Sequence, residues 1–65
     1  MNQWIYEPED DMLVYVGETQ AIFIKIMRET GEYFETIEDD VGNVLTSLTG
    51  QLSDLSPELL SLCTT

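Results

Sequence analysis

The segment Ala21-Ile22-Phe23-Ile24-Lys25-Ile26-Met27 restricts this chain more than any other stretch. Wound as a helix, its apolar side chains would wrap most of the circumference, an arrangement that only deep burial supports. A chain of 65 residues has little depth to offer. Extended, the same residues are β-branched and aromatic sheet formers that neighbouring strands can cover. Gly31 would serve as the C-terminal cap of a helix over residues 19–30, which makes that winding the competing reading. The circumferential pattern favours a strand over residues 20–28.

The turn that follows sets the expected register. Glu29-Thr30-Gly31 fits a three-residue hairpin loop in which Gly31 takes the left-handed conformation without a Cβ penalty. That loop pairs Arg28 with Glu32, Met27 with Tyr33, Ile26 with Phe34, Lys25 with Glu35 and Ile24 with Thr36. Both basic residues then face carboxylates, each pair contributing roughly 0.2–1 kcal/mol. A two-residue Thr30-Gly31 loop would place Lys25 opposite Thr36 and lose that match. In the preferred register one sheet face carries Leu13, Tyr15, Ile22, Ile24, Ile26, Phe34 and Thr36. The other carries Met12, Val14, Val16, Ala21, Phe23, Lys25, Met27, Tyr33, Glu35 and Ile37. Neither alternates toward polar residues as a solvated face should, so the sheet needs two covers.

Other segments complete an α+β reading within one domain, residues 1–65. Ile5 and Tyr6 form a short extended piece that Pro8 ends, and Glu9-Asp10-Asp11 is a negatively charged turn. Met12-Leu13-Val14-Tyr15-Val16 is a strand stopped by Gly17, with Val16-Gly17-Glu18-Thr19 suiting a turn that has glycine at its first central position. Residues 1–38 are thus an acidic β-meander of three to four strands, and residues 40–65 a Leu-rich helical tail. Asp39 or Asp40 can cap a helix to about Thr49, with Val41, Val44, Leu45 and Leu48 on one face. A sharper signal follows: Ser56 as N-cap, Pro57 at the first helical position and Glu58 in the first turn. Leu59, Leu60, Leu62 and Cys63 form its apolar ridge, while Leu52 and Leu55 anchor the connection. One or two short helices are expected to pack on one face of the sheet.

Charge narrows the functions. The formal net charge is -11, from thirteen acidic and two basic residues with no histidine. Eleven of the acids lie in residues 1–40. The absent histidine removes the commonest general base at neutral pH, and no serine sits in a nucleophile turn, so no enzyme is expected. No cofactor is expected either: the four glycines are scattered and form no phosphate loop. The acidic triplets are contiguous where a calcium loop alternates its ligands, so no metal site is expected. Cys63, the single cysteine, cannot form an internal disulfide and reads as a small buried hydrophobe. Its reduced state, with no basic run before an apolar one at Met1-Asn2-Gln3-Trp4, suggests a cytoplasmic setting. No stretch reaches the roughly 20 apolar residues of a membrane helix. Direct contact with nucleic acid or anionic lipid is disfavoured by repulsion.

The remaining expectation is a protein-interaction module. Carboxylates on a folded scaffold can imitate a phosphate path and occupy a basic groove, which makes a small regulator or inhibitor of a larger, nucleic-acid-handling protein one concrete version. The candidate partner-binding residues are Glu7, Glu9, Asp10, Asp11, Glu35, Glu38, Asp39 and Asp40. Trp4 joins them as an aromatic anchor, and Phe23 and Met27 as apolar residues of the less buried face. The competing expectation is a structural homo-oligomer, a homodimer being the simplest, or a complex subunit that buries the second sheet face, with acidity serving solubility only.

Overall fold

The computed structural model describes residues 3–64. Five strands run in chain order across one antiparallel sheet: β1 (Trp4–Glu7), β2 (Met12–Val16), β3 (Gln20–Met27), β4 (Glu32–Asp39) and β5 (Val44–Gln51). A 3-10 turn at Leu52–Asp54 leads into a single helix, α1 (Pro57–Cys63). The antiparallel meander with a C-terminal helix is the expected class, with one strand more than expected.

Helix α1 starts as its sequence requires. The Ser56 side chain accepts a hydrogen bond from the Leu59 N–H, Pro57 sits in the first turn, and Glu58 stands where the helix dipole favours a carboxylate. It lies against β1 and β2. Leu55 and Cys63 close over Leu13, Ile24 and Ile26, with Trp4, Tyr6, Ile22, Tyr33, Leu52, Leu59 and Leu60 packed around them. Seven residues are too few to hold a helix by propensity, so this apolar contact keeps it folded.

The helix expected to end near Thr49 is instead β5. Its apolar spacing matches a helical face, but Val44, Thr46 and Thr49 are β-branched and β4 offers a full ladder of partners. The chain reverses between them because Asp39 organises the turn. Its Oδ1 accepts the backbone N–H groups of Val41 at 3.0 Å and Asn43 at 2.8 Å, and Gly42 takes a φ of 91°. The Asp39-Asp40 boundary is therefore a hairpin, and Asp39 is no helix cap.

Register differs from expectation by one residue. Met27 pairs with Glu32, Ile26 with Tyr33, Lys25 with Phe34 and Ile24 with Glu35. The loop spans residues 28–31, closed by the Gly31 N–H on the Met27 carbonyl at 2.9 Å, and Gly31 has the left-handed φ of 74°. A one-residue slip exchanges the faces of β4. Tyr33, Glu35 and Ile37 join the helix-bearing face, while Phe34 and Thr36 move to the other. Neither basic residue stands opposite a carboxylate in this ladder. The turn after β2 also shifts: Gly17 donates its N–H to the Gln20 carbonyl at 2.8 Å, leaving Glu18 and Thr19 as the central residues. Gly17 has no positive φ, and its value lies in close approach, since a Cβ there would meet the Gln20 oxygen at 3.1 Å.

No second cover reaches the opposite face among the described residues. Val14, between Ile5 and Phe23, is its one buried side chain. Ile5 is 54% exposed and Phe34 41%.

Candidate functional site

An antiparallel meander alternates its turns, so the 8–11 and 28–31 turns share one end of the sheet and the 17–19 and 40–43 turns share the other. This sorts ten of the eleven acidic residues in 1–40 into two groups. Glu7, Glu9, Asp10, Asp11, Glu29 and Glu32 lie at the first end, together with Lys25 and Arg28. Glu18, Glu38, Asp39 and Asp40 lie at the second, where there is no Lys or Arg side chain. Glu35 is mid-strand, opposite Ile24 and Leu48.

Both cations are engaged internally at the first end. Lys25 Nζ donates to the Asp10 carbonyl oxygen. Arg28 donates through Nε to Asp11 Oδ2 at 2.7 Å and through Nη2 to Asp11 Oδ1 at 2.9 Å, a two-pronged match of guanidinium to carboxylate. The same Nη2 reaches the Cys63 carbonyl oxygen at 2.5 Å and the Tyr6 hydroxyl oxygen at 3.2 Å. Tyr6 in turn donates its hydroxyl to Asp11 Oδ1 at 2.6 Å. One guanidinium thus joins the first turn, the third turn and the C-terminal carbonyl of α1. Asp11 is held in this cluster with a φ of 50°, so it is not a free charge at the tip. Sequence reasoning missed the cluster because its hydrogen-bonded partners are 5 to 35 residues apart and no local pattern links them.

These contacts shift titrations in defined directions. The Arg28 hydrogen bonds hold the Asp11 carboxyl below its ordinary value of 3.8. Tyr6, donating to that carboxylate, is raised above 10.0. A depressed folded-state value means the pairing stabilises the fold above pH 3.8 and is lost as pH falls through the lower folded value. Asp11→Asn should therefore melt at a lower temperature than the parent at pH 7, and asparagine tolerates the positive φ. The gap should narrow below pH 3.8 and close in stronger acid. Thermal melts across that range check this; a gap independent of pH would mean the carboxylate charge is immaterial. Arg28 is half exposed, so the gap should also shrink in salt.

At the second end Asp39 is committed to its turn. The Asn43 backbone N–H, aided by Val41 and the Asn43 side chain, holds its carboxyl below the ordinary value. Asp40 is exposed and Glu38 half-buried beside Ala21. Glu18, across the 17–19 turn, is exposed as well.

The apolar candidates separate from these. Trp4 packs with the core, its ring 5.3 Å from that of Tyr15. Phe23 and Met27 are half-buried on the face away from α1, which is where the expected faces put them. Among the described residues no group of three or more His, Cys, Asp or Glu is arranged to hold a metal ion. A hollow of about 470 Å³ beside Arg28 is lined by Asp11, Lys25, Glu29 and Thr30, among others, and its Asp11, Lys25 and Arg28 side chains are engaged in the contacts above. No described helix is long and apolar enough to cross a membrane. No protein-family model, curated protein or solved structure matches the chain.

Proposed function

We propose that the chain is a non-enzymatic acidic interaction module that docks a basic site on a larger protein, with the Glu18, Glu38 and Asp40 end leading. One observation carries this reading. Both basic side chains are engaged at the opposite end, so this end presents carboxylates with no Lys or Arg beside them. Such a field acts over roughly a Debye length, about 8 Å at physiological salt, and speeds encounter with a positive surface. A partner whose own ligand is nucleic acid is the concrete case, with competitive exclusion as the mechanism. Glu9 and Asp10 add to the field, while Asp11 and Asp39 act through the fold.

The test uses the chain on a column, with bound proteins eluted by rising salt. Glu18→Gln, Glu38→Gln and Asp40→Asn together should lower the eluting salt or abolish retention. Glu7→Gln, Glu9→Gln and Asp10→Asn remove equal charge at the other end and should do so less. Equal effects from both sets would mean that net charge alone acts.

The bare sheet face favours a second reading, a subunit held through Ile5, Phe23 and Phe34. An apolar contact of that kind would barely respond to salt.

A further inference from the structure

We propose that the free edge of β5 is a pairing surface for a second copy of this chain, the two β5 strands lying antiparallel about a two-fold axis in one continuous sheet. The Leu52 N–H donates to the Gly31 carbonyl at 2.8 Å, and the ladder then runs unshifted from Glu32 with Gln51 to Ile37 with Thr46. Antiparallel pairs alternate between exchanging and not exchanging hydrogen bonds. That alternation turns the backbone groups of Gly50, Leu48 and Thr46 toward β4 and those of Thr49 and Ser47 outward.

The two edges of the sheet are unlike. β1 has four residues, ends in Glu7 and runs into Pro8, the devices by which edge strands avoid pairing. β5 has eight residues, and no charge or proline occurs anywhere in residues 41–53. All of its residues but Gly50 are exposed. The register shift beside Glu38 leaves residues 46–51 as the regular part. A pairing centred on Leu48, itself 44% exposed, sets that residue against its own copy and Ser47 against Thr49.

Charge selects the occupant. A basic strand would find nothing to neutralise along this edge, whereas a Ser, Thr and Leu strand finds its match in β5 itself, each contact made twice by symmetry. It is also the approach on which two bodies of charge -11 set no carboxylate strand against another. Repulsion from the rest of each copy still opposes association, so salt should tighten this pairing.

Sedimentation equilibrium of the full chain at low and high salt tests the proposal. A monomer–dimer equilibrium that tightens with salt is expected, with the Ser47 and Thr49 amides gaining protection from hydrogen exchange in the dimer. Ser47→Lys puts charge on the edge, and Thr49→Pro removes an outward N–H that β4 does not use. Each should weaken the dimer by roughly tenfold or more. The circular dichroism of Ser47→Lys should match the parent, which keeps the test open should Thr49→Pro misfold. A monomer at all concentrations in high salt would overturn the proposal. So would a dimer indifferent to Ser47→Lys, which would place the contact on another surface. Retention on the basic-partner column bears on neither result.

Discussion

Leu13→Ala should leave the chain close to unfolding at ordinary temperatures. Leu13 is 0% exposed and its strand neighbours are Tyr6 and Ile24, with Leu55 and Cys63 in the same core cluster. Removing such a side chain typically costs about 2–5 kcal/mol, part for lost transfer and part for the cavity. A domain of this size has a total stability of only about 3–10 kcal/mol. At about 4–8 °C per kcal/mol, the melting midpoint should drop by about 8 °C at least. Phe34→Ala deletes a larger side chain from the uncovered face and should cost much less, since Phe34 is 41% exposed. Thermal denaturation followed by circular dichroism compares the two. Equal losses would mean that the second face is covered as well as the first.

Gly50→Ala should destabilise the fold although Gly50 lies outside the buried core. A Cβ at Gly50 would lie 2.6 Å from the Cε2, Cζ and Oη atoms of Tyr33, its partner on β4. The ring lies over the glycine, and Tyr33 packs against the core cluster. A methyl group there forces the ring away, at about 1–3 kcal/mol for an overpacked site. The backbone entropy saved by replacing glycine offsets about 0.5–1 kcal/mol of this. In a Tyr33→Ala background the clash is gone, so Gly50→Ala should become neutral or stabilising. A double-mutant cycle of melting midpoints measures that sign change; additive losses would show that the ring is not the obstacle.

Where the fold was legible, local chemistry decided it. The β-rich run through Ala21 and Met27, the positive φ at Gly31 and the Ser56-Pro57 helix start each follow from a few adjacent residues. Register was not legible. Matching Arg28 and Lys25 to Glu32 and Glu35 favours the wrong pairing by at most about 1 kcal/mol per pair. The observed register instead lays Tyr33 over Gly50 and lets Arg28 reach Asp11, contacts that no hairpin-level reading contains. β5 was hidden for a related reason: its helical spacing is local, while the strand β4 that captures it is visible only once the sheet exists. The acidic candidates divide the same way. Composition marks all of them, but only hydrogen bonds show that Asp11 and Asp39 hold the structure, and only the turn order shows that Glu18, Glu38 and Asp40 are grouped apart from Lys25 and Arg28.

Binding through that cation-poor end is most directly checked by following backbone amide resonances while an oligo-arginine peptide is added at low salt. Perturbations should concentrate at residues 17–20 and 38–43 and fade as salt is raised. Perturbations centred on residues 7–11 and 29–32, or spread evenly over the sheet, would contradict the account.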